Sequence, residues 1–191
     1  MKRKIRFLLL ISALTLSLSV LGLPIALADS GSATYDYLAG TGFLCGLDPS
    51  GCPDVARADN GDTIELRGAG SLGVHPKTVG GSGTFIHKNS AGAPLASGTW
   101  AATDLLSFDA FGASPPPFAP PLTAGRALMR VHLVVTGGPL TGAEADGILE
   151  IGCLLGGKAP GGAFEGIRLN IQGLINFNKP VSGFTVFIKT P

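Results

Sequence analysis

Apolar and polar residues alternate along most of this chain, and that period of two constrains the fold more than any other feature. In the segment 126–136, Met129 and Val131 alternate with Arg130 and His132. Successive side chains of a β-strand point to opposite faces of its sheet, so this pattern predicts strands with one apolar and one polar face. Since no helical stripe of useful length accompanies it, the sequence predicts an all-β protein.

About eight strands follow from this alternation and from the turn residues that interrupt it. Asn60-Gly61 is typical of a tight hairpin, and Gly81 and Gly83 inside a strand suit a sharply coiled sheet with room in its interior. Closure of the strands would remove exposed edges, which favours a single antiparallel β-barrel, with a two-sheet β-sandwich as the alternative. The predicted strands are residues 54–58, 63–72, 78–88, 95–108, 126–136, 147–155, 167–172 and 184–189.

The N-terminus has the pattern of a secretory signal. A basic start at residues 2–6 precedes an apolar run at 7–23, and the small residues Ala26 and Ala28 mark a cleavage site. We therefore expect a signal peptide at 1–28 and a secreted or periplasmic protein without a stable membrane span after cleavage.

Charge and length narrow the classes of partner. Residues 1–28 hold four of the 14 Lys and Arg residues and none of the 13 Asp and Glu residues, so the remainder is mildly acidic. It has no basic cluster of the kind that binds nucleic acid or an anionic membrane. Its length suits one domain, which we expect to be a barrel at 54–191 preceded by an N-terminal arm at 29–53.

Three cysteines in an exported chain predict one disulfide and one free thiol. Cys45 and Cys52 enclose a short loop rich in turn residues, which can bring the two sulfur atoms together. The disulfide Cys45–Cys52 would pin the arm. Cys153 lies in an apolar run, where a buried thiol packs as a small hydrophobic group and is a poor nucleophile.

One set of polar side chains could form a catalytic or ligand-binding face. Arg130, His132 and Glu150, with Arg168 and Asn170, occupy the polar faces of three consecutive predicted strands. If these side chains converged, a carboxylate beside Arg and His could act as a general acid or base. The alternative is the solvated outer face of a sheet, where such charge pairs are common.

Two aromatic residues are further candidates for ligand contact. The tripeptide Gly98-Thr99-Trp100 resembles the Gly-x-Trp signature of the lipocalins, which are ligand-binding barrels, and this resemblance implies that Trp100 faces a ligand. In that family the signature lies on the first barrel strand, whereas here it lies on a later one, so core packing is the alternative role. Phe118 lies in a proline-rich segment at 115–121, which is either a stiff connection or a lid over a barrel mouth.

No motif indicates a metal or a cofactor. The three histidines, His75, His87 and His132, lack the close spacing of zinc ligands and are best interpreted as strand or surface residues. The chain also has no nucleophile elbow, phosphate-binding loop or dinucleotide fingerprint.

These observations together favour a secreted barrel that acts as a binding or interaction module, with a small apolar molecule in its interior. Apolar strand faces and inward glycines are the basis of this hypothesis. The alternatives are a cofactor-free isomerase or cyclase that uses Arg130, His132 and Glu150, and a structural surface protein.

Overall fold

The computed structural model describes residues 32–114, 122–155 and 159–191. Within them the chain forms one antiparallel sheet of eleven strands, which confirms the predicted all-β fold. A four-residue helix, α1 (Leu44–Leu47), and a 3₁₀ turn (Pro49–Gly51) join the first two strands. The strands are β1 (Thr34–Ala39), β2 (Asp54–Arg57), β3 (Thr63–Gly73), β4 (Thr78–Lys88), β5 (Pro94–Ala113), β6 (Leu122–Gly137), β7 (Glu144–Cys153), β8 (Gly166–Ile171), β9 (Ile175–Phe177), β10 (Lys179–Ser182) and β11 (Thr185–Lys189).

Every strand predicted from the alternation is present, as β2 to β8 and β11. The structure differs in the arm expected at 29–53, because its residues 34–39 form β1 and lie in the sheet between β3 and β11. Tyr35 and Tyr37 of this strand are buried in the core. None of the described helices has the length and apolar character needed to cross a bilayer.

Six strands pair in a cycle. β3 pairs with β4, β4 with β5, and β5 with β6, while β6 also pairs with β11, β11 with β1, and β1 with β3. β2 and β10 extend the sheet from β3, and β7, β8 and β9 extend it from β6. The inner faces of these strands share a single hydrophobic core.

Two long strands change partner along one edge. On β3, residues 63–66 pair with β2 and residues 68–73 pair with β1. On β6, residues 125–134 pair with β7 and residues 122–123 pair with β11. We call the region where these changes meet the strand switch and define it by Asp54, Cys153, Glu165 and Thr185.

The middle of the interior is filled by aromatic side chains that pack against glycine. A Cβ on Gly83 would lie 2.6 Å from Nε1 of Trp100, and a Cβ on Gly81 would lie 2.2 Å from the hydroxyl of Tyr37. Trp100 is buried, and its Nε1 donates to the carbonyl of Arg67 at 3.2 Å. The volume that we expected these glycines to leave open is therefore occupied by Tyr37 and Trp100.

Candidate functional site

The five polar residues proposed as a catalytic face lie on the outside of the sheet and form separate groups. Glu150 on β7 lies between two guanidinium groups, 3.7 Å from Arg126 and 3.6 Å from Arg168. Arg168 also stacks on the Phe164 ring at 3.8 Å. Asn170, two residues further along β8, is exposed. This group is an ion-pair network on the outer face of the sheet, with Glu150 partly buried between two arginines that are more exposed.

His132 belongs to a second group. Its Nδ1 lies 3.0 Å from Asp146 and its Nε2 lies 3.3 Å from Glu144, and both carboxylates are exposed. The hydrogen bond to Asp146 is the main cause of a raised His132 pKa. Arg130 pairs in register with Asp104 on β5 and with Ile148 on β7, so it does not stand opposite Glu150.

Of the two aromatic candidates, Trp100 lies among the described residues and Phe118 does not. Trp100 lies on the inner face of β5 within the core. Phe118 and the rest of 115–121 lie outside the described residues, and that segment connects the end of β5 with the start of β6.

A cavity of about 300 Å³ opens inside the sheet at the end where the hairpins 89–93 and 138–143 and the turn 172–174 lie. We call it the hairpin cup. His87 pairs with Ile64 on one side and Ala96 on the other, and Ala145 pairs with Leu133. Paired residues of an antiparallel sheet share a face, so the side chains of His87, Ala96 and Ala145 lie on the inner face with the core residues Ile64 and Leu133. The wall of the cup includes Ile64, Phe85, Ala96, Leu133, Ala145 and Ile171.

Two exposed leucines stand at the rim of the hairpin cup. Leu140 lies between β6 and β7 and is 61% exposed, while Leu174 lies between β8 and β9 and is 75% exposed. Exposed leucines are common on protein surfaces, so the feature that distinguishes this pair is its position at the opening of an apolar cavity. An apolar molecule that entered the cavity would meet apolar side chains at its opening.

Two polar side chains, His87 and Glu144, are among the described residues that line the cup. Nε2 of His87 lies 3.1 Å from an Asp62 carboxylate oxygen, and the imidazole packs edge-on against Phe177 with ring centroids 5.3 Å apart. Glu144 is bound to His132 on the outer face. His87 is therefore the polar group that the interior of the cup offers.

A larger apolar groove, of about 580 Å³, lies on the outer face of β11 beside the strand switch. We call it the switch groove. α1 contributes Leu44 and Leu47, β11 contributes Val186, and Glu165 supplies a carboxyl group. Two more of its lining residues, Leu122 and Leu155, directly adjoin segments outside the described residues.

The strand switch gathers carboxyl groups that the sequence analysis missed. Glu165 accepts hydrogen bonds from the backbone N–H groups of Leu154 at 2.7 Å and Thr185 at 2.8 Å. Burial raises its pKa. Asp54 is fully buried, and among the described residues neither of its carboxyl oxygens has a hydrogen-bond partner. Burial, followed by the charge of Glu165, raises the Asp54 pKa to about 9.

The cysteines are arranged as the sequence predicts. Cys45 and Cys52 form a disulfide with their Cα atoms 5.1 Å apart, and Cys153 is a buried free thiol. Burial raises the pKa of Cys153 to about 12, which leaves it protonated and unreactive at neutral pH. The disulfide holds α1 against the sheet and so helps to form the switch groove.

Within the described part of the chain, no group of three or more His, Cys, Asp or Glu residues could hold a metal ion. No family model, no curated protein and no solved structure matches this chain.

Proposed function

We propose that this chain is an exported binding module whose sheet closes into a barrel and holds a small apolar ligand in the hairpin cup. The observation that carries the proposal is a cavity of about 300 Å³ among inward-facing apolar side chains. A concave apolar site with a few polar groups in its wall is the usual form of a small-molecule pocket, and this volume lies at the lower end of the range for such sites.

The cyclic pairing of six strands supports closure. β3, β4, β5, β6, β11 and β1 each hydrogen-bond to two others of the set, so none of them presents a free edge within the cycle. Such closure would enclose the interior and leave openings at the strand ends. The hairpin cup lies at one such end, where β7, β8 and β9, which extend the sheet from β6, supply part of its wall.

The N-terminal pattern and the disulfide support export. Residues 1–28 have the composition of a secretory signal, although they lie outside the described residues. A disulfide such as Cys45–Cys52 persists mainly in oxidising compartments outside the cytoplasm. An extracellular or periplasmic location is consistent with both.

We place the ligand away from the proline-rich segment. β5 and β6 pair from Ser97 and Gly137 at the cup end to Ala113 and Thr123 at the other end, where segment 115–121 joins them. An apolar molecule that enters the hairpin cup therefore passes Leu140 and Leu174. A role for Phe118 stays a prediction of the sequence.

The isomerase alternative has less support. Glu150 interacts with Arg126 and Arg168, whereas His132 interacts with Asp146 and Glu144, and the two groups are separate. Acid and base groups that do not share a concave site cannot act on one substrate. Binding in the hairpin cup is the function that we carry forward.

The test fills the cup. In Ala145→Phe, a ring replaces a methyl group in the wall, so we expect saturable binding of neutral apolar probes, measured by titration calorimetry, to be lost. The matched control is Ala101→Phe on the exposed outer face of β5, which should bind as the wild type does. If no probe among small alcohols, ethers and arenes binds the wild-type protein, or if Ala145→Phe leaves binding intact, the hairpin cup is not a ligand site.

A further inference from the structure

The hydrogen bond between His87 and Asp62 fixes which imidazole nitrogen carries the proton. A carboxylate can only accept, so Nε2 of His87, 3.1 Å from Asp62, must be the donor. In the neutral ring the other nitrogen, Nδ1, then has a free lone pair. Through Nε2, His87 is bound to Asp62, and its side chain lines the cup.

The ring is held in place from two sides. Asp62 lies in the turn before β3, where its N–H donates to the Asn60 side chain at 3.0 Å and its carbonyl accepts from Ala58 at 2.8 Å. Phe177 packs against the ring on another side. A preorganised acceptor of this kind loses little conformational entropy when a ligand binds.

The rest of the lining restricts what can bind. Glu144, the other polar side chain in the lining, is bound to His132 outside the cup, and no lysine or arginine is among the described lining residues. An anionic ligand would meet no cation there and would lie near the Asp62 carboxylate. A ligand without a donor would bury the Nδ1 lone pair unpaired, which is unfavourable.

We propose that the ligand of the hairpin cup is a neutral apolar alcohol or phenol whose hydroxyl group donates a hydrogen bond to Nδ1 of His87. This inference rests on the proposed function, because it assigns the chemistry of the ligand in the same cavity. Asp62 is then a positioning residue that holds the ring in the accepting tautomer.

The experiment compares 1-naphthol with 1-methoxynaphthalene, which has nearly the same shape but no donor. Titration calorimetry on the wild-type protein should show tighter binding of 1-naphthol by about tenfold or more, since one unpaired buried acceptor costs that much affinity. In His87→Phe, which keeps an aromatic ring and removes the acceptor, the two probes should bind equally. Asp62→Asn, which allows either tautomer, should reduce the preference in part.

The outcomes separate the two proposals. If both probes bind the wild-type protein equally and Ala145→Phe still abolishes binding, the cup is a ligand site but the assignment to alcohols is overturned. A preference for the ether, or for an alkylammonium probe, overturns it as well. If neither probe nor any other neutral apolar probe binds, the proposed function itself fails. The wild-type comparison needs no variant, so it stands even where His87→Phe does not fold.

Discussion

At the hairpin cup, consecutive strands turn back through short connections, whereas at the strand switch β3 and β6 exchange one partner for another. A tight hairpin satisfies its own backbone groups, as Ala58 and Asn89 do through hydrogen bonds within their turns. A change of partner leaves N–H groups without a neighbouring strand. Leu154 and Thr185 are in that position, and Glu165 accepts from both.

This difference separates a carboxyl group that supports the fold from a histidine that is available to a ligand. Both kinds of group are commonly taken as signs of a functional site. The oxygens of Glu165 are committed to backbone groups, so its raised pKa follows from its structural position. His87 uses Nε2 to hold its orientation, and in the proposed binding mode it offers Nδ1 to the ligand.

The largest expected change in the free energy of unfolding comes from substitution of Asp54. Its folded-state pKa of about 9 exceeds the ordinary value of 3.8 for an aspartate, so the folded protein binds the proton more tightly than the unfolded chain does. Stability is then greatest below pH 3.8 and falls as the pH rises towards 9, with a loss of about 4 kcal/mol by pH 7. We expect Asp54→Asn, measured by denaturant unfolding, to be more stable than the wild type by about that amount at pH 7.

The control for this prediction is Asp36→Asn on the exposed face of β1, which should follow the wild-type pH dependence. Near pH 4, the free energies of unfolding of Asp54→Asn and of the wild-type protein should become equal. Equal stabilities of Asp54→Asn and the wild type at pH 7 would mean that Asp54 is solvated or paired in solution. The carboxyl group at the strand switch would then behave as surface carboxyl groups do.

Glu165→Leu should destabilise the protein by about 3 kcal/mol, because it leaves the N–H groups of Leu154 and Thr185 unpaired. Glu150→Leu is the matched control on the outer face, and it should cost less than Glu165→Leu, because Glu150 pairs with two partly exposed arginines and accepts from no backbone N–H group among the described residues. Glu165→Gln retains one acceptor oxygen and should fall between them. Similar losses for Glu165→Leu and Glu150→Leu in chemical unfolding would contradict the structural role of Glu165.

Removal of the disulfide by a double Cys45→Ser, Cys52→Ser change should lower the free energy of unfolding by about 2.5 kcal/mol, from the greater entropy of the unfolded chain. The change loosens α1 and the switch groove but leaves the hairpin cup untouched. Binding of 1-naphthol should therefore stay at the wild-type level. A parallel loss of binding would show that the two ends of the molecule are coupled.

The fold was largely predictable, because alternation in segments such as 126–136 depends on nearby residues alone. The disulfide Cys45–Cys52 also depends on nearby residues alone, because the two cysteines are seven positions apart, and it is confirmed. β1 was missed although Thr34 and Asp36 alternate with Tyr35 and Tyr37, because so short a run is a weak signal and its place in the sheet depends on pairing with strands distant in sequence.

The candidate site was harder to predict, since its members meet only through the register of the sheet. His87 lies 25 positions from Asp62, and the pairing of Thr63 with Lys88 brings the two together. Taken alone, the histidine reads as an ordinary strand residue. Alternation within the strand offered a usable signal, because His87 lies two residues after Phe85 and therefore shares its apolar face. Asp54 likewise lies two residues before Ala56, so both side chains are on the inner face of β2.

The smallest expected effect decides between the two cavities. Leu174→Ser at the rim of the hairpin cup removes apolar contact from the entrance, so affinity for 1-naphthol should fall by about threefold while stability changes by less than about 0.5 kcal/mol. Leu47→Ser at the switch groove is the matched control, because Leu47 is also an exposed leucine that lines an apolar cavity. It should leave affinity unchanged. If calorimetry shows weaker binding for Leu47→Ser and not for Leu174→Ser, the ligand lies in the switch groove, and the free nitrogen of His87 does not bind it.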